Sequence, residues 1–103
     1  MDKKAAGELI DELLHQEQAP LRQLPYGELI DLPPVSQRSV SPEGRDASLS
    51  TYRDLLPDRT VRIVTQYYRR GFLGSARVRA KGFAMDTAGS ARELGESELW
   101  DFT

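Results

Sequence analysis

Along the first twenty positions, Ala5, Ala6, Leu9, Ile10, Leu13 and Leu14 recur at steps of one, three and four, with Glu8, Asp11, Glu12 and Glu17 mostly between them. That period predicts an amphipathic helix of about four turns, ended by Pro20, whose ring and missing N–H oppose continuation. The run Pro25-Tyr-Gly-Glu-Leu-Ile-Asp-Leu32 opens on a proline suited to a first helical turn and stops before Pro33-Pro34. It predicts a short second helix, with Leu29 and Leu32 docking on the core.

From Val35 the period moves towards two. Runs at 36–41, 47–56, 60–70 and 75–86 are separated by Pro42-Glu-Gly-Arg45, Pro57-Asp-Arg59 and Gly71-Phe-Leu-Gly74, all of turn-forming composition. Four strands in a meander is the simplest arrangement. After a turn at 87–90, residues 91–94 are expected to be extended and 96–102 to form a helical turn anchored by Leu94, Leu99, Trp100 and Phe102. The predicted fold class is α+β, a single domain over 1–103. Its N-terminal amphipathic helix, short second helix and short C-terminal helical turn would cover one face of a four-stranded antiparallel β-meander.

Composition narrows the class without naming a function. At 103 residues one core is expected, hiding roughly 65% of the unfolded surface. The content of 39% hydrophobic and 29% charged residues is ordinary for a small soluble globule. No apolar run approaches the ~18 residues that span a bilayer, so the expectation is a cytoplasmic protein with no membrane partner. The absence of cysteine excludes disulfides, thiolate nucleophiles and cysteine metal knuckles.

Charge is segregated. Residues 59–81 carry Arg59, Arg62, Arg69, Arg70, Arg77, Arg79 and Lys81 with no acid, a local charge of +7 in a chain whose net charge is -2. If 71–74 form a hairpin tip, Arg70 lies opposite Ser75, and opposed residues share a face. Val61 with Ala84, Ile63 with Gly82, Thr65 with Ala80 and Tyr67 with Val78 would then form a core face. Arg62 with Phe83, Val64 with Lys81, Gln66 with Arg79 and Tyr68 with Arg77, with Arg70 near the tip, would form a basic, partly aromatic one. In the preceding hairpin, a three-residue loop at 57–59 would set Asp54 opposite Arg62 and Leu55 opposite Val61.

The candidate binding residues are therefore Arg62, Tyr68, Arg70, Arg77, Arg79, Lys81 and Phe83. The plainest account is the wet side of an antiparallel sheet, with cationic stems lying over aromatic rings. The leading functional expectation is a protein-interaction module that takes an acidic protein partner on this face. The alternative is weak binding of single-stranded nucleic acid, with Tyr68, Phe83 or Tyr52 stacking on bases. Both weaken if the acidic first helix or tail crosses the basic face. Phe72 and Leu73 at the tip are expected to fold over the core edge. An edge strand also leaves open a monomer or a weak homodimer.

Motifs for chemistry are sparse. Lys81-Gly-Phe-Ala84 matches the first four positions of the RNA-recognition RNP1 pattern, but Met85, Asp86 and Ala88 then depart from it, and no helix separates the two strands. That family is not inferred. His15 follows Glu12 by three residues and Asp11 by four, yet the second Glu-x-x-His motif of a di-metal site is missing. Ser48, Ser50 and Thr51 have no evident base, and Glu93, Glu96 and Glu98 form no pattern that makes a cleft. The tip lacks the ending of a phosphate loop. No catalytic set, metal site or cofactor is expected, and the chain is read as a binding domain and not an enzyme.

Overall fold

Helix α1, Lys3–Arg22, lines up Ala6, Ile10, Leu14 and Gln18 at every fourth position, and all four are buried. The computed structural model describes residues 3–103, apart from the side chains of Lys3, Lys4 and Phe72. Pro20 does not end the helix but sits in its last turn, where a missing N–H interrupts little of the remaining ladder. The end closes by tighter bonds, from Gln23 N–H to Pro20 O (3.2 Å) and from Leu24 N–H to Leu21 O (3.1 Å). Helix α2, Tyr26–Ile30, follows Pro25 and buries Leu29 completely.

Five strands follow: β1 Val35–Val40, β2 Ala47–Leu55, β3 Val61–Arg70, β4 Ala76–Met85 and β5 Ala91–Glu93. They pair antiparallel in chain order, so the sheet is the expected meander with one more strand than expected. The short extended piece after 90 supplies it: Ala91 pairs with Met85 and Glu93 with Phe83.

The β2–β3 register is the expected one, with Asp54 opposite Arg62 and Leu55 opposite Val61. Leu56 N–H bonds Thr60 O at 2.8 Å across the three-residue loop, and Arg59 takes the left-handed conformation at φ 73°. The β3–β4 register is shifted by one residue from the expectation. Gly71 N–H donates to Ser75 O at 2.7 Å, so the tip is three residues and not four. Leu73 and Gly74 there have φ of 55° and 79°. Arg70 now opposes Ala76, Tyr67 opposes Arg79, and Ile63 opposes Phe83. Because side chains alternate, that single step moves every β4 side chain to the other face of the hairpin.

Two layers result. On one face α1 and α2 cover Val61, Ile63, Phe83 and Met85 around Leu29, and cover Leu49 and Tyr67 beneath Ile10 and Leu14. The C-terminal segment was expected on this same face but lies on the opposite one, where Leu94, Leu99 and Phe102 pack on Val64, Ala80 and Ala84. The row Ala76, Val78, Ala80, Gly82, Ala84 explains this, since small side chains let a second layer approach. A Cβ at Gly82 would stand 2.8 Å from Ile63 O, closer than real contacts allow, and 3.0 Å from Leu94 Cδ1, which would have to give way. The 3₁₀ turn Trp100–Phe102 closes the chain, with Phe102 O accepting from Gln66 Nε2 at 2.5 Å.

Candidate interaction edge

The shifted register divides the residues expected to share a basic face. Arg62, Tyr68 and Arg70 remain on the face away from the helices, whereas Arg77, Arg79, Lys81 and Phe83 lie on the helix side. Phe83 is fully buried, with the Arg22 guanidinium 5.4 Å from its ring centroid, so it belongs to the core and presents no stacking surface. Arg62 is tied to Asp54 across the β2–β3 pair. Only Tyr68, 41% exposed, and Arg70 stay open on the far face.

The helix-side cations meet acids from elsewhere in the chain. Arg79 reaches α1, donating to Asp11 Oδ1 at 2.5 Å and to the Gly7 carbonyl at 3.4 Å. Gly7 makes the room, because a Cβ there would stand 3.3 Å from the guanidinium. Glu43, on the β1–β2 loop, accepts from Arg77 at 2.9 Å and from Tyr67 Oη at 2.8 Å and lies 3.4 Å from Arg69. Burial and the neighbouring Glu43 carboxylate push the Tyr67 hydroxyl up to about 12. Four of the seven segregated cations, Arg62, Arg69, Arg77 and Arg79, thus meet three acids within the fold. Lys81 is the exception among the helix-side cations, being half-buried with no ion-pair partner among the described residues.

What the register leaves unsatisfied is backbone. Strand β5 pairs only with Phe83–Met85, so residues 76–81 of β4 have β3 on one side and no strand on the other. Leu94 N–H donates to Gly82 O at 3.0 Å, which shows that the Gly82 carbonyl points away from β3. In an antiparallel ladder every second residue turns both backbone groups the same way. Ala76, Val78 and Ala80 therefore direct N–H and C=O outwards, and no described group bonds to them. An edge of this kind accepts another strand.

That edge lies in a groove of about 440 Å³ walled by Asp11 and Arg79 on the helix side and by Leu99 and Trp100 on the other. Trp100 is 77% exposed. The hairpin tip, expected to fold over the core, instead holds Leu73 out at 89% exposure. Its left-handed φ turns it away from the sheet, and the expectation for Phe72 lies outside the described side chains.

Sequence reasoning assigned Trp100 to the core and overlooked the outward backbone of β4. The small residues Ala76, Ala80, Gly82 and Ala84 were a signal for the face that the C-terminal segment covers, and no residue pattern marks the outward backbone. His15 is exposed, while its neighbours Asp11 and Glu12 engage Arg79 and Gln16. Among the described residues no group of three or more His, Asp or Glu is placed to hold a metal ion, and no helix is long and apolar enough to cross a membrane. The chain matches no protein family, no curated protein and no solved structure.

Proposed function

We propose that this chain is a non-enzymatic protein-interaction domain that binds an extended segment of a partner protein as an additional strand on residues 76–81 of β4. One observation carries the reading: β5 stops three residues into its pairing with β4, leaving outward N–H and C=O groups in a groove beside Trp100. Main-chain bonds would supply affinity, and alternate side chains would supply specificity. Trp100 and Leu99 offer an apolar wall, and an exposed tryptophan is a typical anchor of such contacts.

The expected acidic partner is retained in a narrower form. Asp11 and Glu43 already engage Arg79 and Arg77, so an acidic residue is favoured only where it faces Lys81. A second copy of this chain is a poor occupant, because antiparallel pairing of two β4 edges would set Arg77, Arg79 and Lys81 of each copy against one another.

Short peptides selected on the protein from a displayed random library test the reading. They should slow hydrogen exchange at the amides of Val78 and Ala80 and shift Trp100 fluorescence. Binding should vanish in Val78→Pro, which removes an outward N–H and no bond to β3. Peptides that bind Val78→Pro as well as wild type, or that protect no amide between 76 and 81, would refute it.

A further inference from the structure

At the opposite side of the sheet a second, smaller cavity of about 250 Å³ opens between the end of α1, the link that joins α2 to β1, and β2. Its apolar wall is aliphatic: Pro20, Leu21, Leu32 and Pro33. Its polar wall is Gln16, Glu17, Ser36, Thr51 and Arg53, and the orientation of the last two is set by bonds behind them.

Arg53 donates from Nε to the Leu32 carbonyl at 2.8 Å, and its own N–H bonds the Pro34 carbonyl at 3.0 Å. These two bonds pin the proline-rich link to β2 and hold the guanidinium on the cavity wall. Neither of its terminal nitrogens has a partner among the described residues. A half-buried guanidinium with its fork unspent is a preorganised carboxylate receptor. The acid that also borders the cavity, Glu17, is engaged at 2.7 Å by Arg38 and so does not offset Arg53.

Thr51 is oriented by a chain of hydroxyls and an amide reaching into the core. Buried Gln18 donates from Nε2 to Thr65 Oγ1 at 2.8 Å, and Thr65 Oγ1 lies 3.1 Å from Thr51 Oγ1. Either hydroxyl can donate in that contact; when Thr65 does, the Thr51 O–H is free to donate from the cavity wall, beside Arg53.

The geometry points to this cavity as a binding site for a small carboxylate with a branched aliphatic chain, the carboxylate on Arg53 and Thr51 and the chain against Pro20, Leu21, Leu32 and Pro33. Size sets the class. Drug-sized ligands occupy pockets of roughly 300–1,000 Å³, so this one suits an acid of about five or six carbons. The carboxylate has two sources, a free small acid or the last residue of a peptide, and both present the same group to Arg53. The inference does not depend on strand addition at β4, which uses other residues.

Titration of the full chain with 3-methylbutanoate, N-acetyl-leucine and a hexapeptide ending in leucine, followed by amide and methyl NMR shifts, tests it. Shifts are expected at Leu21, Leu32, Thr51 and the Arg53 side chain. Replacing the carboxylate with an amide should abolish binding, and Arg53→Lys should weaken it roughly tenfold by removing the planar fork. Arg53→Lys also gives up the Nε bond to Leu32, so Ser36→Tyr, which fills the cavity mouth from an exposed position, provides a second block that spares the guanidinium. Tighter binding of the hexapeptide than of N-acetyl-leucine would identify a peptide C-terminus as the ligand, and equal or weaker binding a free acid. Equal binding of the amides, retention of binding in both Arg53→Lys and Ser36→Tyr, or shifts confined to other residues would overturn the proposal.

Discussion

The two halves of β4 obey one alternation and are satisfied in different ways. From Gly82 to Met85 every residue is buried, the backbone is bonded on both sides, and Phe83 and Met85 enter the apolar cluster around Leu29. From Ala76 to Lys81 the same alternation places arginines where phenylalanine and methionine stood, and the partners become Asp11 on α1 and Glu43 on the β1–β2 loop. The inner half is held by burial, which is non-directional and large. Its outer half is held by ion pairs, and those leave its outward backbone groups unused. Folding therefore completes the inner half and leaves the outer half with bonding capacity to spare, the condition for recruiting a strand from elsewhere.

The widest test of that contrast is to truncate one residue in each half. Phe83→Ala removes a fully buried ring and should cost about 3–5 kcal/mol in urea-induced unfolding. Arg79→Ala breaks a largely exposed pair and should cost no more than about 1 kcal/mol. Equal losses would erase the distinction between the halves.

A smaller effect is expected at Glu43, whose side chain is only 8% exposed between two arginines. Glu43→Gln should cost about 2 kcal/mol, since it leaves half-buried cations and the Tyr67 hydroxyl with a weaker acceptor. A pH titration provides an independent signature. Tyr67 is raised in the fold from 10.0 to about 12. Its contribution to stability is therefore complete below about pH 10, where the unfolded tyrosine keeps its proton, and is lost as pH rises towards about 12. Glu43 accounts for part of that rise, so phenolate absorbance in Glu43→Gln should appear at lower pH than in wild type. An unchanged titration would remove Glu43 from the account.

The edge predicts a small effect on stability. Val78→Pro should change unfolding by less than about 1 kcal/mol, because proline is tolerated where the N–H faces off the sheet. The same substitution at Arg77, whose N–H faces β3, should cost about 3 kcal/mol or more by removing a ladder bond. Similar losses at both positions would mean that the outward parity of Val78 is misassigned.

The contrast also shows where the sequence was legible. Local periodicity located both helices and the four longer strands, and the β2–β3 register followed from matching Asp54 to Arg62 over a three-residue loop. The β3–β4 register did not follow from the same reasoning. Separating apolar from charged residues favours a four-residue tip when the hairpin is considered alone. With three residues in the tip, Arg77 and Arg79 point towards the helix side, which looks unfavourable until Asp11 and Glu43 arrive from segments distant in sequence. Nothing local to the hairpin encodes those counter-charges. The role of the C-terminal segment was hidden for a related reason: its apolar anchors were visible, but the face they cover depends on which β4 side chains are small enough to be approached. For the same reason the candidate edge was not legible, because it consists of backbone groups left over once β5 has stopped.

The smallest effect concerns the segment that walls the groove. Residues 95–103 are tied to β5 by Arg92, which bonds both carboxylate oxygens of Glu98 at 2.9 and 2.8 Å. Glu98 also caps the turn by accepting from Gly95 N–H at 2.9 Å. The Arg92 bonds, followed by that backbone bond, hold the Glu98 carboxyl at about 2, below its ordinary 4.5. A depressed carboxylate contributes stability that is present above its unfolded value and lost as pH falls through its folded one, so the window here runs from about 4.5 down to about 2. The pair is exposed, and global melting should shift little. The local reporter is Trp100, two residues beyond Glu98, whose fluorescence should hold constant through pH 4.5 and change only as pH approaches 2. In Arg92→Gln that change should move up towards 4.5, and binding of selected peptides to the β4 edge should weaken over the same range, because the wall carrying Trp100 is no longer fixed. A wild-type midpoint near 4.5 would mean that Arg92 does not hold Glu98, and that the groove has only one rigid side.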